Sequence, residues 1–99
     1  MYGFVFRWMA PESLQNWQFS DKSPVWSFGV LLWELFSYGS HPYCGYSNHE
    51  VLDMISHRQL LPCPDQCPAK IYSLMHECWT AQPMQRPHFK VNIFNPKNF

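Results

Sequence analysis

The side chains able to ligate metals or act as nucleophiles are four cysteines, Cys44, Cys63, Cys67 and Cys78, and five histidines. Four cysteines in a secreted chain would imply two disulfides, and Cys-x-x-Cys runs would imply zinc. Cys63 and Cys67 stand in Pro-Cys-Pro-Asp-Gln-Cys-Pro with three residues between them, which is not the usual zinc knuckle. Cys78 falls on the apolar face of a predicted helix, where a free thiol packs as a small hydrophobe. Reduced thiols are therefore favoured over zinc ligands or structural disulfides. The histidines are scattered without a His-Glu-x-x-His helix, so they read as surface or packing residues. Spacing alone assembles no reaction centre from these groups.

The elements that would have to position any chemistry are organised around one stretch, Ser23-Pro-Val-Trp-Ser-Phe-Gly-Val-Leu-Leu-Trp-Glu-Leu-Phe-Ser37. Its length favours a helix of about residues 24–37, because buried strands seldom run so far. Ser23 is suited to cap the first turn, and Pro24 to the first helical position. Gly39 can take a left-handed C′ conformation and stop the helix. Only Ser27, Gly29 and Glu34 interrupt the apolar residues, among them Trp26, Phe28 and Trp33, so the helix needs cover on nearly every side. It is too short to span a bilayer, which takes roughly 20 residues.

Further helices follow from local signals. Pro11 and Glu12 suit the first turn of a short helix, and Gln15 to Lys22 reads as polar loop carrying Trp17 and Phe19. Ser47-Asn-His-Glu50 is a capping box opening a helix with Val51, Leu52, Met54 and Ile55 on one face, ending near His57-Arg58. Leu60 to Pro68 holds three prolines and reads as extended loop. Pro68 then opens a helix whose Ile71, Leu74, Met75, Cys78 and Trp79 form an apolar stripe, with Lys70, Ser73 and Glu77 opposite. Ala81 to Arg86 reads as loop, Pro87 as the start of a last helix carrying Phe89, and the remainder as frayed tail. No alternating strand pattern or internal repeat occurs. The predicted class is all-α.

With 99 residues the chain is one domain at most, and 46% hydrophobic residues exclude intrinsic disorder. Only 14% are charged, which is low for a self-sufficient soluble domain and suits a piece of a larger core or one half of an interface. A formal net charge of zero argues against nucleic acid or acidic membrane as the main partner. No signal peptide or basic amphipathic leader is recognisable at the start.

Arg7-Trp-Met-Ala-Pro-Glu12, Val25-Trp-Ser-Phe-Gly-Val30, Cys78-Trp79 and Arg86-Pro87 occur in that order and spacing. Together they resemble the C-terminal lobe of a protein tyrosine kinase. Gln59-Leu-Leu-Pro-Cys63, Cys67-Pro68 and Ile71-Tyr-Ser-Leu-Met75 are similar to the ROR-type receptor tyrosine kinases, although muscle-specific and Trk-type receptors share much of this pattern. The resemblance runs over residues 7–90, a partial kinase domain from the end of the activation segment to the last helices. Residues 1–6 show no clear resemblance and 91–99 are the tail. The loss of pattern at both ends is the expectation for a partial transcript.

The resemblance implies a buried ion pair between Glu12 and Arg86. From the residues alone, Glu12 complementing a helix N-terminus beside a solvated Arg86 is the plainer alternative. It also implies that Arg7, Trp8 and Met9 belong to a peptide-docking platform, and that His41-Pro-Tyr43 and the helix after Ser47 contact substrates or partners. Where the family carries an aspartate that holds the catalytic loop, this chain has Pro24, a departed anchor. Val5 replaces the proline typical two residues before Arg7.

Phosphoryl transfer of the kinase kind needs a glycine-rich loop, a lysine, a catalytic aspartate and metal-binding Asn and Asp residues. Gly-x-Gly-x-x-Gly, His-Arg-Asp and Asp-Phe-Gly are absent from this sequence, and Asp21, Asp53 and Asp65 lie in other contexts. The expectation is no catalytic, cofactor-binding or metal-binding residue here, with ATP and magnesium belonging to the complete kinase. Expected partners are the remainder of a kinase domain and a protein substrate or scaffold, with no nucleic acid and no membrane contact from this segment. If part of a receptor, the segment would lie on the cytoplasmic side of the plasma membrane, and otherwise in the cytoplasm. The readings carried forward are a segment of an ATP-dependent receptor tyrosine kinase, inactive alone, and a non-catalytic interaction module. An unrelated helical binding domain is the least favoured.

Overall fold

The protein is described here by a computed structural model covering residues 6–88. Among the described residues there are four α-helices: α1 (Pro11–Asn16), α2 (Ser23–Phe36), α3 (Asn48–Ser56) and α4 (Ala69–Cys78). Short 3-10 turns at Phe6–Trp8 and Pro83–Gln85 flank them, and no strand occurs among the described residues. The all-helical class read from sequence is the observed one. The last helix expected around Phe89 and the C-terminal tail lie outside the described residues.

Helix α2 is the centre. Val25, Trp26, Val30 and Trp33 are buried along one side, and full burial contributes about 1.5–3 kcal/mol for each large apolar side chain. That side packs mainly on α4, whose Met75 and Cys78 are buried together with Trp79 at its C-terminal end. Gly29 is the point of closest approach, since a Cβ there would lie 2.7 Å from Trp79 Nε1 and 2.8 Å from Cys78 Cβ. The absence of a side chain at Gly29 therefore sets the α2–α4 distance.

The other side of α2 departs from the expectation of full enclosure. Leu31 and Leu35 are 48% and 64% exposed, because only the α4 side and the Phe6–Trp8 turn supply extensive cover. Trp17 and Phe19 are also exposed and stack edge-on with ring centroids 4.8 Å apart.

The ends of α2 also differ from the prediction. Ser23 is inside the helix and does not cap it, because its hydroxyl accepts from Ser20 N–H and donates to Glu12. Ser20 organises the preceding turn by accepting Lys22 N–H on Oγ and Ser23 N–H on its carbonyl. At the other end Tyr38, not Gly39, takes the first left-handed position, at φ 58°, and Gly39 follows at φ 85°. Tyr38 N–H reaches the Leu35 carbonyl and Gly39 N–H the Glu34 carbonyl, a Schellman closure that satisfies two terminal carbonyls.

Helix α3 starts with the full capping box. Glu50 N–H donates to Ser47 Oγ at 3.1 Å, and Ser47 N–H donates to the Glu50 carboxylate at 2.8 Å. Hydrogen bonding from Ser47, its backbone N–H first, holds the Glu50 carboxyl below its ordinary pKa. Helix α4 turns its stripe inward as read, leaving Lys70, Ser73 and Glu77 exposed. Burial pushes the Cys78 thiol up to about 12, so it is neutral and packs as an apolar group.

Candidate functional site

The strongest polar constellation joins the start of α1 to the last described turn. Arg86, 2% exposed, donates to both Glu12 oxygens, at 2.8 and 2.9 Å. Its remaining N–H groups reach the carbonyls of Thr80 (2.8 Å), Lys22 (3.0 Å) and Ala81 (3.4 Å), so all five guanidinium donors have acceptors. The guanidinium also lies 5.3 Å from the centre of the Trp26 ring. Ser23 Oγ adds a third hydrogen bond to the Glu12 carboxylate. Burial alone would raise the Glu12 carboxyl, but the Arg86 bonds and charge, with backbone and Ser23 bonds, hold it below its ordinary value. A planar fork meeting a carboxylate through two bonds fixes both partners in orientation as well as charge.

The segment before Glu12 is fastened at two further points. Arg7 donates to the carbonyls of Pro42 and Tyr43, at 3.1 and 2.7 Å, and to that of Tyr46. Trp8 Nε1–H donates to the Glu34 carboxylate, and Ser27 Oγ–H donates to the Trp8 carbonyl. Residues 6–12 are thus clamped across α2 and the 42–46 loop. Arg7, Trp8 and Met9 are each half-buried, and the polar groups of the first two face inward. Pro42 and Tyr43 are buried under this clamp, whereas His41 is exposed.

Two concavities flank the clamp. One, of about 340 Å³, is lined by Met9, Ala10, Ser13, Phe19, Ser20, Ser23, Pro24 and Ser27. Its serine hydroxyls are all committed: Ser13 donates to Gln18 O, Ser20 accepts from Lys22, Ser23 bonds Glu12, and Ser27 bonds Trp8 O. Pro24 is exposed at its edge and offers no acceptor side chain. The second, of about 500 Å³, lies between the C-terminal half of α2, the 40–46 loop and α3, with Trp33, Tyr43, Met54 and Leu61 among its walls. Trp33 Nε1–H donates to Pro62 O at 2.7 Å and holds that wall in place. No cluster of three His, Cys, Asp or Glu side chains suited to a metal occurs among the described residues.

Sequence reasoning missed several members of this arrangement. Lys22, read as loop, is 4% exposed, with Nζ 3.1 Å from His88 Nδ1 and 3.4 Å from the Arg86 carbonyl. Glu34 interrupts the apolar run because it receives Trp8, and Ser27 because it fastens the Trp8 backbone. A lone charge inside an apolar helix was the one available signal, since burying it without a partner is costly.

A family model described as protein tyrosine and serine/threonine kinase matches residues 2–94. The Drosophila melanogaster tyrosine-protein kinase transmembrane receptor Ror is 54% identical over 83 residues, 84% of this chain and 12% of that protein. Mouse tyrosine-protein kinase Srms is 52% identical over 85 residues, 86% of this chain and 17% of the relative. Chicken tyrosine-protein kinase SYK is 49% identical over 93 residues, 94% of this chain and 15% of the relative. The chain therefore spans 12–17% of the length of these three.

Proposed function

We propose, since this chain belongs to the protein tyrosine and serine/threonine kinase family, that it serves as the substrate-side part of a tyrosine kinase domain and transfers no phosphoryl group alone. The observation that carries this reading is the clamp on residues 6–12. Three separate tethers hold one short segment in place: Arg7 on the 42–46 loop, Trp8 on α2 and Glu12 on Arg86. A platform that orients a peptide needs that kind of preorganisation, because loose positioning forfeits rate. Arg7, Trp8 and Met9 supply the platform; Glu12 and Arg86 tie it to the last turns.

The complete domain would act in ATP-dependent phosphorylation of protein tyrosine, with ATP and magnesium held by residues outside this segment. Its partners are the remainder of a kinase domain and a protein substrate or scaffold. For a receptor parent such as Ror, the segment sits on the cytoplasmic side of the plasma membrane. No helix among the described residues is long and apolar enough to cross a membrane. The 340 Å³ depression has Pro24 in its lining, at the position where the family's carboxylate anchor for the catalytic loop would stand.

Pro24 also favours a second reading, a non-catalytic module that binds a kinase or scaffold, since losing that anchor is harmless only where catalysis is not required. Two measurements on the purified chain separate these. Incubated with magnesium, ATP and a tyrosine-containing peptide, it should leave the peptide unmodified, and phosphopeptide formed by the chain alone would overturn the main reading. A sharp cooperative melt from a soluble monomer would favour the binding module, because a kinase segment should expose apolar surface and associate.

A further inference from the structure

The kinase reading assigns nothing to the interior of the 500 Å³ concavity between α2, the 40–46 loop and α3. Its walls are mainly apolar, with Trp33, Tyr43, Tyr46, Met54 and Leu61 among them, and no Asp, Glu, Lys or Arg lines it. A volume and lining of this kind suit a small molecule. Of the polar side chains in the wall, the Ser40 hydroxyl is committed to Ser37 O at 3.0 Å, and His41 and Cys44 are exposed.

Tyr43 is the polar group that the wall leaves unused. It is 5% exposed, and its hydroxyl makes no hydrogen bond among the described residues. Among those residues the unpartnered polar atoms sealed from any surface are the indole nitrogens of Trp26 and Trp79. The Tyr43 hydroxyl therefore keeps a small opening, and the cavity that Tyr43 lines supplies it. A nearly buried hydroxyl without a partner is costly, yet this one is held in place. Tyr43 takes the left-handed backbone at φ 55°, uncommon for a bulky residue, and Arg7 grips its carbonyl at 2.7 Å. Across the cavity Trp33 is fixed by its bond to Pro62 O at 2.7 Å. Burial raises the Tyr43 hydroxyl well above its ordinary pKa, against the opposing Arg7 charge, so it stays a neutral donor. An orphan donor on a strained residue in a cavity wall marks a place suited to a bound acceptor.

We propose that this cavity binds an uncharged aromatic small molecule that presents a carbonyl oxygen to the Tyr43 hydroxyl. Its rings lie against Trp33, Tyr46 and Met54, since aromatic side chains and a thioether suit flat apolar bodies. An ionised ligand is disfavoured, because it would shed its hydration where no charged side chain lines the wall. The carbonyl accepts the bond that Tyr43 has to give, and that bond fixes the orientation of the rings. Cys44 is exposed yet belongs to the lining, so an occupant covers its thiol. The site rests on these walls alone and does not depend on whether the parent transfers phosphate.

The probes are benzophenone and diphenylmethane, which have nearly the same shape and differ by the carbonyl. The full chain is incubated with each, and alkylation of Cys44 and Cys63 is followed by mass spectrometry. At about ten times the half-protecting concentration of benzophenone, Cys44 should react about tenfold more slowly. Cys63, exposed and outside the lining, should keep its rate. In Tyr43→Phe the preference for benzophenone over diphenylmethane should fall about tenfold, the worth of one hydrogen bond. The urea midpoint of that variant should equal or exceed the parent's, since the lost hydroxyl had no partner. The proposal is overturned if benzophenone leaves Cys44 at its free rate, if it slows Cys63 equally, or if Tyr43→Phe keeps the full preference. Loss of the fold in Tyr43→Phe would overturn it too, by showing that the hydroxyl is already engaged.

Discussion

Gly29 and Trp79 are in contact so close that a methyl group at Gly29 would sit 2.7 Å from the indole nitrogen. That nitrogen is buried and has no hydrogen-bond partner among the described residues, so α2 and α4 meet through shape rather than polar pairing. Cys78 Cβ, at 2.8 Å from the same point, belongs to the helix itself and cannot swing away. Gly29→Ala should therefore destabilise the chain by about 1–3 kcal/mol despite the better helix propensity of alanine. Urea midpoints of the two chains measure this, and an unchanged or raised midpoint would show that the helices can separate freely.

Acid should loosen the Glu12–Arg86 link. The Glu12 carboxyl is held below its ordinary value in the fold, so the folded chain takes up this proton less readily than the unfolded chain. Its contribution is complete above the ordinary carboxylate value and fades as pH falls through the lowered one. Glu12→Gln should thus be much less stable than the parent near neutrality, with the gap narrowing in acid. Denaturant titrations at several pH values test it; a gap that stays constant would assign the loss to packing instead.

Leu31 and Leu35 lie one turn apart on the open side of α2. The double change to Gln should reduce binding of a hydrophobic dye and the tendency to associate. Exposed positions of this kind typically shift stability by no more than about 0.5 kcal/mol. Dye fluorescence and light scattering provide the comparison, and unchanged dye binding would place the sticky surface elsewhere.

Cys78 should resist alkylation in the folded chain under conditions that modify Cys44 and Cys63. Its thiol is buried and pushed up to about 12, so almost none is thiolate at neutral pH. Urea should bring its reactivity level with the others. Rapid labelling of Cys78 without denaturant would mean that α4 detaches readily from α2.

What could be read from the sequence was local. The Ser47–Glu50 capping box and the α4 stripe depend on residues three or four apart, and spacing alone encodes them. Ser23 was misread because a carboxylate eleven positions earlier recruits its hydroxyl, which no cap rule anticipates. Arg7, given to the docking platform by the family resemblance, also serves carbonyls 35 to 39 residues away, which no local spacing announces. Lys22 was hidden for the same reason, since its neighbours are Arg86 and His88. The family was legible through ordered motifs; the subfamily is not, because Ror, Srms and SYK stand at 54, 52 and 49% identity.

Glu12 and Arg86 are separated by 74 positions, almost the full described span. During synthesis the acid is made long before its base, and the entropy of closing so long a loop predicts that in refolding the two ends meet after the helices between them have assembled. On that expectation the link is a latch that shuts last. Arg86→Met should leave the refolding rate nearly unchanged and hasten unfolding, so that stopped-flow traces change on the unfolding limb alone. For a protein held by such a latch, lifetime rather than speed of formation is what the two charges govern.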